Sequence, residues 1–401
     1  MIAIIEKSTA GGEIFAPTSK SAAHRLIISA ALAEGKSRIY RPTLCDDVLA
    51  TIDCLVGLGA KISVEDGDLS IVGFDPRKST AKNTLHARES GSTLRFLLPL
   101  ALTSRDAVRF TGAGRLMSRP MSVYENICSE LGLSYEADSE GITVRGPLPS
   151  VDFTVRGDIS SQFITGLMLV MPLLGGDRRI KITTKIESKS YIDMTISAMR
   201  SFGIDASWED DSTILVKEGS YKAAQVAVEG DYSGAAFCAA LGSLHGDVKV
   251  LGLDSDSLQG DKIYEEYYPA LKEGVPTLDI SNCPDLGPIL FTLAAAYNGA
   301  TFTGTARLRL KESDRAYVMA EELKKFGAEI NVYENSVSVI KKELHTPTEA
   351  LSGHGDHRIV MSLAVLATLY GGKIEGCEAI SKSYPQFFDD LRSLGVKITT
   401  I

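Results

Sequence analysis

No stretch of this 401-residue chain is long and apolar enough to cross a bilayer. Its opening residues, MIAIIEKSTAGG, hold too short an apolar run for a secretory leader. Positive charge is scarce: 42 lysines and arginines face 51 aspartates and glutamates, giving a net charge of −9. That balance argues against a broad nucleic-acid or anionic-membrane surface, though not against a local basic pocket. The six cysteines, Cys45, Cys54, Cys128, Cys238, Cys283 and Cys377, show none of the paired spacings of metal sites or redox motifs. They are expected to be reduced core residues of a cytoplasmic protein. GAGRLMSRP, residues 112–120, has glycines but lacks the lysine–serine ending of a nucleotide-phosphate loop. No metal and no cofactor are therefore expected. What is present is ordinary globular composition, 44% hydrophobic and 23% charged, enough for two or three domains.

An apolar residue, a glycine and then a strand recur along the chain. The copies are LGAKISV (58–64), LGLSYEA (131–137), FGIDASW (202–208), FGAEINV (326–332) and LGVKITT (394–400), with a degraded form in EGVPTLDI (273–280). The glycines, Gly59, Gly132, Gly203, Gly274, Gly327 and Gly395, are 73, 71, 71, 53 and 68 residues apart. A glycine after the last periodic residue is a helix stop, because it enters the left-handed region cheaply. Several copies continue into a second strand, as in ISVEDGDLSIVG, and so read as hairpins. Each copy also holds an earlier, more apolar helix, beginning near Lys20, Ser90, Ser160, Asp231, Asp285 or Asp356. The expected unit is strand–helix–strand–helix–hairpin, about 70 residues long, occurring six times.

The apolar helices start with polar residues in every copy. In the second helices the polar residues lie a nearly fixed distance before the glycine: Arg119 by 13, Ser188 by 15, Glu312 and Arg315 by 15 and 12, Lys382 by 13. Helices of that length would set these residues at their N-terminal ends, roughly 20 Å from the glycine at 1.5 Å per residue. Free N–H groups and about half a positive charge at such ends make an anion site where several converge. The cationic start TSKSAAHR (18–25) should therefore face a multiply anionic small molecule.

The segments TSKSAAHR, ESGSTLR, GRLMSRP, SSQF, ESKSYID, GDYS, LQGD, CPD, LRLKESDR, GDHR and SKSYP occur in an order that resembles the 5-enolpyruvylshikimate-3-phosphate synthase family. The resemblance runs from about residue 17 to residue 390. It implies an α/β fold of two inverse α/β barrels, three repeats each. One domain would span 15–228 and the other 1–14 plus 229–401, with the active site in the cleft between them. It further implies transfer of the enolpyruvyl group of phosphoenolpyruvate to the 5-hydroxyl of shikimate 3-phosphate, releasing phosphate. The partners are then these two small molecules, with no nucleic acid and no membrane, and a monomer is expected.

The same resemblance assigns residues. Lys20, Ser21, Arg25, Ser160, Ser161, Gln162, Ser188, Tyr191, Asp285, Arg307 and Lys311 would contact shikimate 3-phosphate. Lys20, Gly91, Arg119, Gln162, Arg315, Arg358 and Lys382 would hold phosphoenolpyruvate, arginine suiting the task because its planar fork grips carboxylate or phosphate in two places. Gly91 also implies sensitivity to glyphosate. Asp285 would take the hydroxyl proton, and Glu312, helped by Lys20, would exchange protons with the methylene carbon. Simpler roles are open for both: an N-cap for Asp285 and an ion pair with Arg315 for Glu312. Two positions depart from the family. Arg307 and Glu89 each stand where asparagine is common. The rival readings are a UDP-N-acetylglucosamine enolpyruvyl transferase, which would carry a reactive cysteine before Arg119, and a non-catalytic anion-binding relative.

Overall fold

The computed structural model describes residues 1–78 and 82–401. Among them run twelve α-helices: α1 Lys20–Leu32, α2 Asp46–Leu58, α3 Gly91–Ala101, α4 Ser122–Leu131, α5 Ser161–Val170 and α6 Lys189–Ser201. The remainder are α7 Tyr232–His245, α8 Tyr264–Glu273, α9 Gly287–Ala296, α10 Arg315–Lys324, α11 His357–Tyr370 and α12 Phe387–Ser393. The even-numbered helices meet the repeated glycines. Gly59, Gly132, Gly203, Gly327 and Gly395 all have positive φ, from 66° to 129°. Gly274 has φ −168°, which any residue adopts, and it belongs to the degraded copy.

The chain divides into two compact units, one of residues 18–228 and one of residues 1–17 with 229–401. The 18–228 unit holds three four-stranded sheets of one design. In the second repeat, Thr84–His86 runs parallel to Ala107–Thr111, which pairs antiparallel with Gly141–Arg145 and so with Ser134–Ala137. Residues 153–216 repeat the pattern. The first repeat borrows its leading strand from the far end of the unit, where Gln225–Ala227 pairs with Arg38–Tyr40.

The other unit follows the same plan with two changes. Ile2–Ile5, from the very start of the chain, lies between Gly372–Glu375 and Ile398–Thr400. Gly11–Phe15 pairs in parallel with Asp247–Leu251 in a two-stranded sheet. That fourth repeat has no hairpin: after α8 the chain goes straight into Thr277–Asp279, the leading strand of the next sheet. Five repeats are therefore complete and the fourth is truncated, which accounts for the short spacing of 53.

Burial explains why helices lie inside and sheets outside. The odd-numbered helices are apolar nearly all round, and α5 and α9 are buried at almost every position. The strands alternate instead: Val108 and Phe110 are fully buried while Arg109 between them points outward. Glycine lets α3 and α5 approach closely. A Cβ on Gly166 would stand 2.3 Å from Tyr124 Oη and 2.4 Å from the Arg95 carbonyl oxygen. Relief there requires the backbone to move. Gly166→Ala should cost about 1–3 kcal/mol, lowering the urea midpoint; an unchanged midpoint would contradict this packing.

Candidate active site

In the 18–228 unit, Ser19, Ser90 and Ser160 cap α1, α3 and α5, accepting from the N–H groups of Ala22, Thr93 and Gln162. The caps are neutral, so they offset the positive ends of these helices only in part. Arg25 lies one turn into α1 and is only 2% exposed. Its guanidinium donates to Thr195 Oγ1 (2.8 Å), the Ser21 carbonyl (2.6 Å), the Tyr191 carbonyl (3.0 Å) and Thr165 Oγ1 (3.4 Å). It also lies over the rings of Phe96 and Tyr191. All of these partners are neutral, and burial pushes its pKa down to about 10. Lys20 differs, because its ammonium donates to Asp47 at 2.8 Å.

A second group gathers at the start of α3. A Cβ on Gly91 would lie 2.9 Å from Arg119 Nη1, 3.6 Å from Gln162 Oε1 and 3.7 Å from Arg95 Nη1. Gln162 accepts from Arg95 at 2.7 Å, and Arg95 also donates to the Pro120 carbonyl at 3.0 Å. Ser161 and Ser188 are buried at the starts of α5 and α6, and Ser188 sits in the left-handed region at φ 57°. A non-glycine residue there stores strain that the surroundings must hold.

In the other unit one carboxylate is the hub. Asp285 accepts from Arg315 Nη1 (2.8 Å), Arg358 Nη2 (2.8 Å) and Lys311 Nζ (3.2 Å). Arg315, 1% exposed, also donates to Glu312 at 2.8 Å and to Asp356 at 2.8 Å. Asp356 is fully buried, caps α11 at the N–H of Arg358 and accepts from Ser313. Burial lowers the Lys311 pKa, although the charge of Asp285 opposes the shift. Lys382 donates to the Gly355 carbonyl at 2.5 Å, and Arg307 is buried in the 3₁₀ turn Ala306–Leu310 that leads to Lys311.

Several expectations change. Asp285 does not cap α9; it lies in the 3₁₀ turn Pro284–Leu286 and faces the cations. Glu312 does pair with Arg315, so its ion pair and its place in the cluster coexist. Arg119 and Lys382 do not start helices: Arg119 is extended (φ −74°, ψ 145°), and Lys382 ends the 3₁₀ turn Cys377–Lys382. Pro120 is the physical reason at Arg119, since a proline disfavours helical backbone just before it and delays α4, whereas Lys382 closes a separate 3₁₀ turn and α12 begins only after Pro385. The Glu89 carboxylate lies against the backbone of Gly114, on the loop that carries Arg119. Sequence reasoning missed Asp47, Arg95, Asp261 and Asp356 as partners. Arg95, Asp261 and Asp356 sit inside quoted motifs and Asp47 outside them, but for all four only the folded pairing shows what they bind.

The family model described as EPSP synthase (3-phosphoshikimate 1-carboxyvinyltransferase) matches residues 5–391. The chain belongs to that family. A 3-phosphoshikimate 1-carboxyvinyltransferase from Clostridium kluyveri is 40% identical over 96% of this chain and 96% of its own length. Its counterpart from Clostridioides difficile is 37% identical over 98% and 97%. The fold is shared with EPSP synthase from Acinetobacter baumannii (TM-score 0.78, 21% identity, all of both chains). It is shared also with the enolpyruvyl transferase NikO from Streptomyces tendae (TM-score 0.79, 13% identity, 99% of this chain and 98% of that one).

As an EPSP synthase, the enzyme transfers the enolpyruvyl group of phosphoenolpyruvate to shikimate 3-phosphate. The UDP-N-acetylglucosamine reading is the weaker one on chemical grounds too. Cys128 is fully buried in α4, and burial pushes its thiol pKa up to about 11, so it is not a poised thiolate. Among the described residues no cluster of three or more His, Cys, Asp or Glu is arranged to hold a metal, and no helix is long and apolar enough to cross a membrane.

Asp261, of the motif LQGD, is 2% exposed and accepts from the Ser233 hydroxyl. Its Oδ1 has no hydrogen-bond partner among the described residues. Burial, reinforced by the negative charge of Asp285, pushes its pKa up to about 7, against the pull of Arg358 and the Ser233 hydrogen bond. The folded enzyme therefore keeps this proton at pH values where the unfolded chain has lost it. Stability from this group falls as pH rises from about 4 to 7 and is flat above. Asp261→Asn should gain stability over the wild type progressively across that window; parallel stability curves would show that the carboxyl is ionised throughout.

Proposed function

We propose that the two clusters supply the binding and proton-transfer groups of the EPSP synthase reaction, each unit contributing part of the set. Lys20, Ser21, Arg25, Ser160, Ser161, Gln162, Ser188, Tyr191, Asp285, Arg307 and Lys311 contact shikimate 3-phosphate. Lys20, Gly91, Arg119, Gln162, Arg315, Arg358 and Lys382 hold phosphoenolpyruvate. The observation that carries this reading is the sharing of Asp285 among Arg315, Arg358 and Lys311, at 2.8, 2.8 and 3.2 Å.

A carboxylate between three cations is a weak base, because protonation forfeits three charge-assisted contacts. Anionic substrates compete for the same cations. As a phosphate or carboxylate draws Arg358 and Arg315 to itself, Asp285 loses partners and gains basicity. It then takes the proton of the 5-hydroxyl while that oxygen bonds to C2 of phosphoenolpyruvate, and Glu312, released from Arg315 and protonated with the aid of the Lys20 ammonium, gives a proton to the methylene carbon. In the second half, the methyl carbon returns its proton to Glu312, the C2–oxygen bond breaks, inorganic phosphate leaves with that oxygen, and the enol double bond re-forms. The base is thus switched on by its own substrates.

Gly91 keeps space beside Arg119, and glyphosate fits the same reading as a small anion competing for the phosphoenolpyruvate groups. The six buried, unpaired cysteines support a cytoplasmic location. Asp285→Ala should lower turnover by about 10²–10⁴ while circular dichroism stays that of the wild type. Turnover within a few-fold of the wild type would remove Asp285 from the reaction.

A further inference from the structure

Glu322 lies in the C-terminal half of α10, seven residues beyond Arg315, hence about 10 Å along the helix axis from it. It is 2% exposed and takes no part in the cluster around Asp285. Its carboxylate accepts four hydrogen bonds at 2.9 Å: two from the Lys325 ammonium, one from His354 Nε2 and one from the Ser352 N–H. Lys325 donates onward to the Ala350 carbonyl at 3.1 Å. Burial alone would raise the pKa of this carboxyl, but the hydrogen bonds from His354, Lys325 and Ser352 outweigh burial and hold it below its ordinary value. An anion so completely satisfied fixes whatever donates to it.

What it fixes is the turn that enters α11. His354 occupies the left-handed region at φ 49°, a costly place for a side chain, and Gly355 follows at φ 65°. The Gly355 carbonyl receives the Lys382 ammonium, and the next residue, Asp356, receives Arg315. One helix, α10, therefore holds this turn at two points: through Glu322 near its end and through Arg315 at its start.

We propose that Glu322 is a positioning residue for phosphoenolpyruvate: through His354 and Ser352 it sets the Gly355 carbonyl and so the place of the Lys382 ammonium. The inference rests on the assignment of Lys382 to that substrate. His354 acts as the strut, spanning from the strained backbone to the buried carboxylate.

The test uses two variants of the whole enzyme. His354→Asn keeps a residue that tolerates left-handed backbone but is too short to reach Glu322. Glu322→Gln keeps the shape and removes the charge. His354→Asn should raise the KM for phosphoenolpyruvate about tenfold, the worth of one charge-assisted hydrogen bond. Turnover and the KM for shikimate 3-phosphate should stay within about twofold, since the groups around Asp285 are untouched. Glu322→Gln should move the same constant in the same direction. In a Lys382→Ala background the His354→Asn effect should vanish, because the strut then has nothing to place. The proposal is overturned if either variant lowers only the melting temperature, or if the His354→Asn effect persists in full without Lys382. Should Lys382→Ala itself bind phosphoenolpyruvate normally, the assignment of that lysine fails first, and the route through Gly355 fails with it.

Discussion

Arg25 brings a positive charge into the interior of its unit and meets hydroxyls, carbonyls and two aromatic rings there, but no carboxylate. Burying a charge without a counter-charge is among the more expensive things a fold can do. Three helix starts in the same unit are capped by serine, whose neutral hydroxyls offset the dipoles only in part. In the 18–228 unit Lys20 is answered by Asp47, but the buried charge of Arg25 meets no carboxylate. On the proposed assignment, a phosphorylated ligand supplies the charge that Arg25 lacks.

The other unit handles the same kind of cations in the opposite way. Its helix starts carry Asp231 and Asp356, and Asp285 stands just before α9. Arg315, Arg358 and Lys311 are neutralised within the fold before any ligand arrives. This difference has a chemical use. Under the proposed function, binding in one unit relieves an existing stress, whereas in the other it takes cations away from a carboxylate and frees a base. The Glu322–His354 strut belongs to the same balance of charge, since a buried anion held by three donor groups keeps a strained turn in place near the cations.

Much of this was legible in the sequence, and the reason is geometric. Glycines that end helices often adopt positive φ, and Gly59, Gly132, Gly203, Gly327 and Gly395, which do, announced the repeat and located five helix ends. The weak copy at Gly274 marked the truncated repeat. The cationic residues were legible as motif members, but apart from the Arg315–Glu312 pair their partners were not. Asp47, Asp261, Asp356 and Glu322 lie 27, 28, 41 and 32 positions from the Lys20, Ser233, Arg315 and His354 that they meet, and no periodicity links such distant residues. Local rules also misled at Arg119, where a proline intervened, and at Lys382, which closes a separate 3₁₀ turn, because spacing from the glycine counts residues and cannot see where the helix begins.

Calorimetric titration of Arg25→Gln with shikimate 3-phosphate, paired with its thermal melting, tests the central claim most directly. An unanswered buried charge that exists for the ligand requires affinity to fall at least 100-fold, about 2.7 kcal/mol. The ligand-free variant should then melt at or above the wild-type temperature. Retained affinity together with a lower melting temperature would contradict the account, making Arg25 a structural strut and leaving the positive field without a purpose.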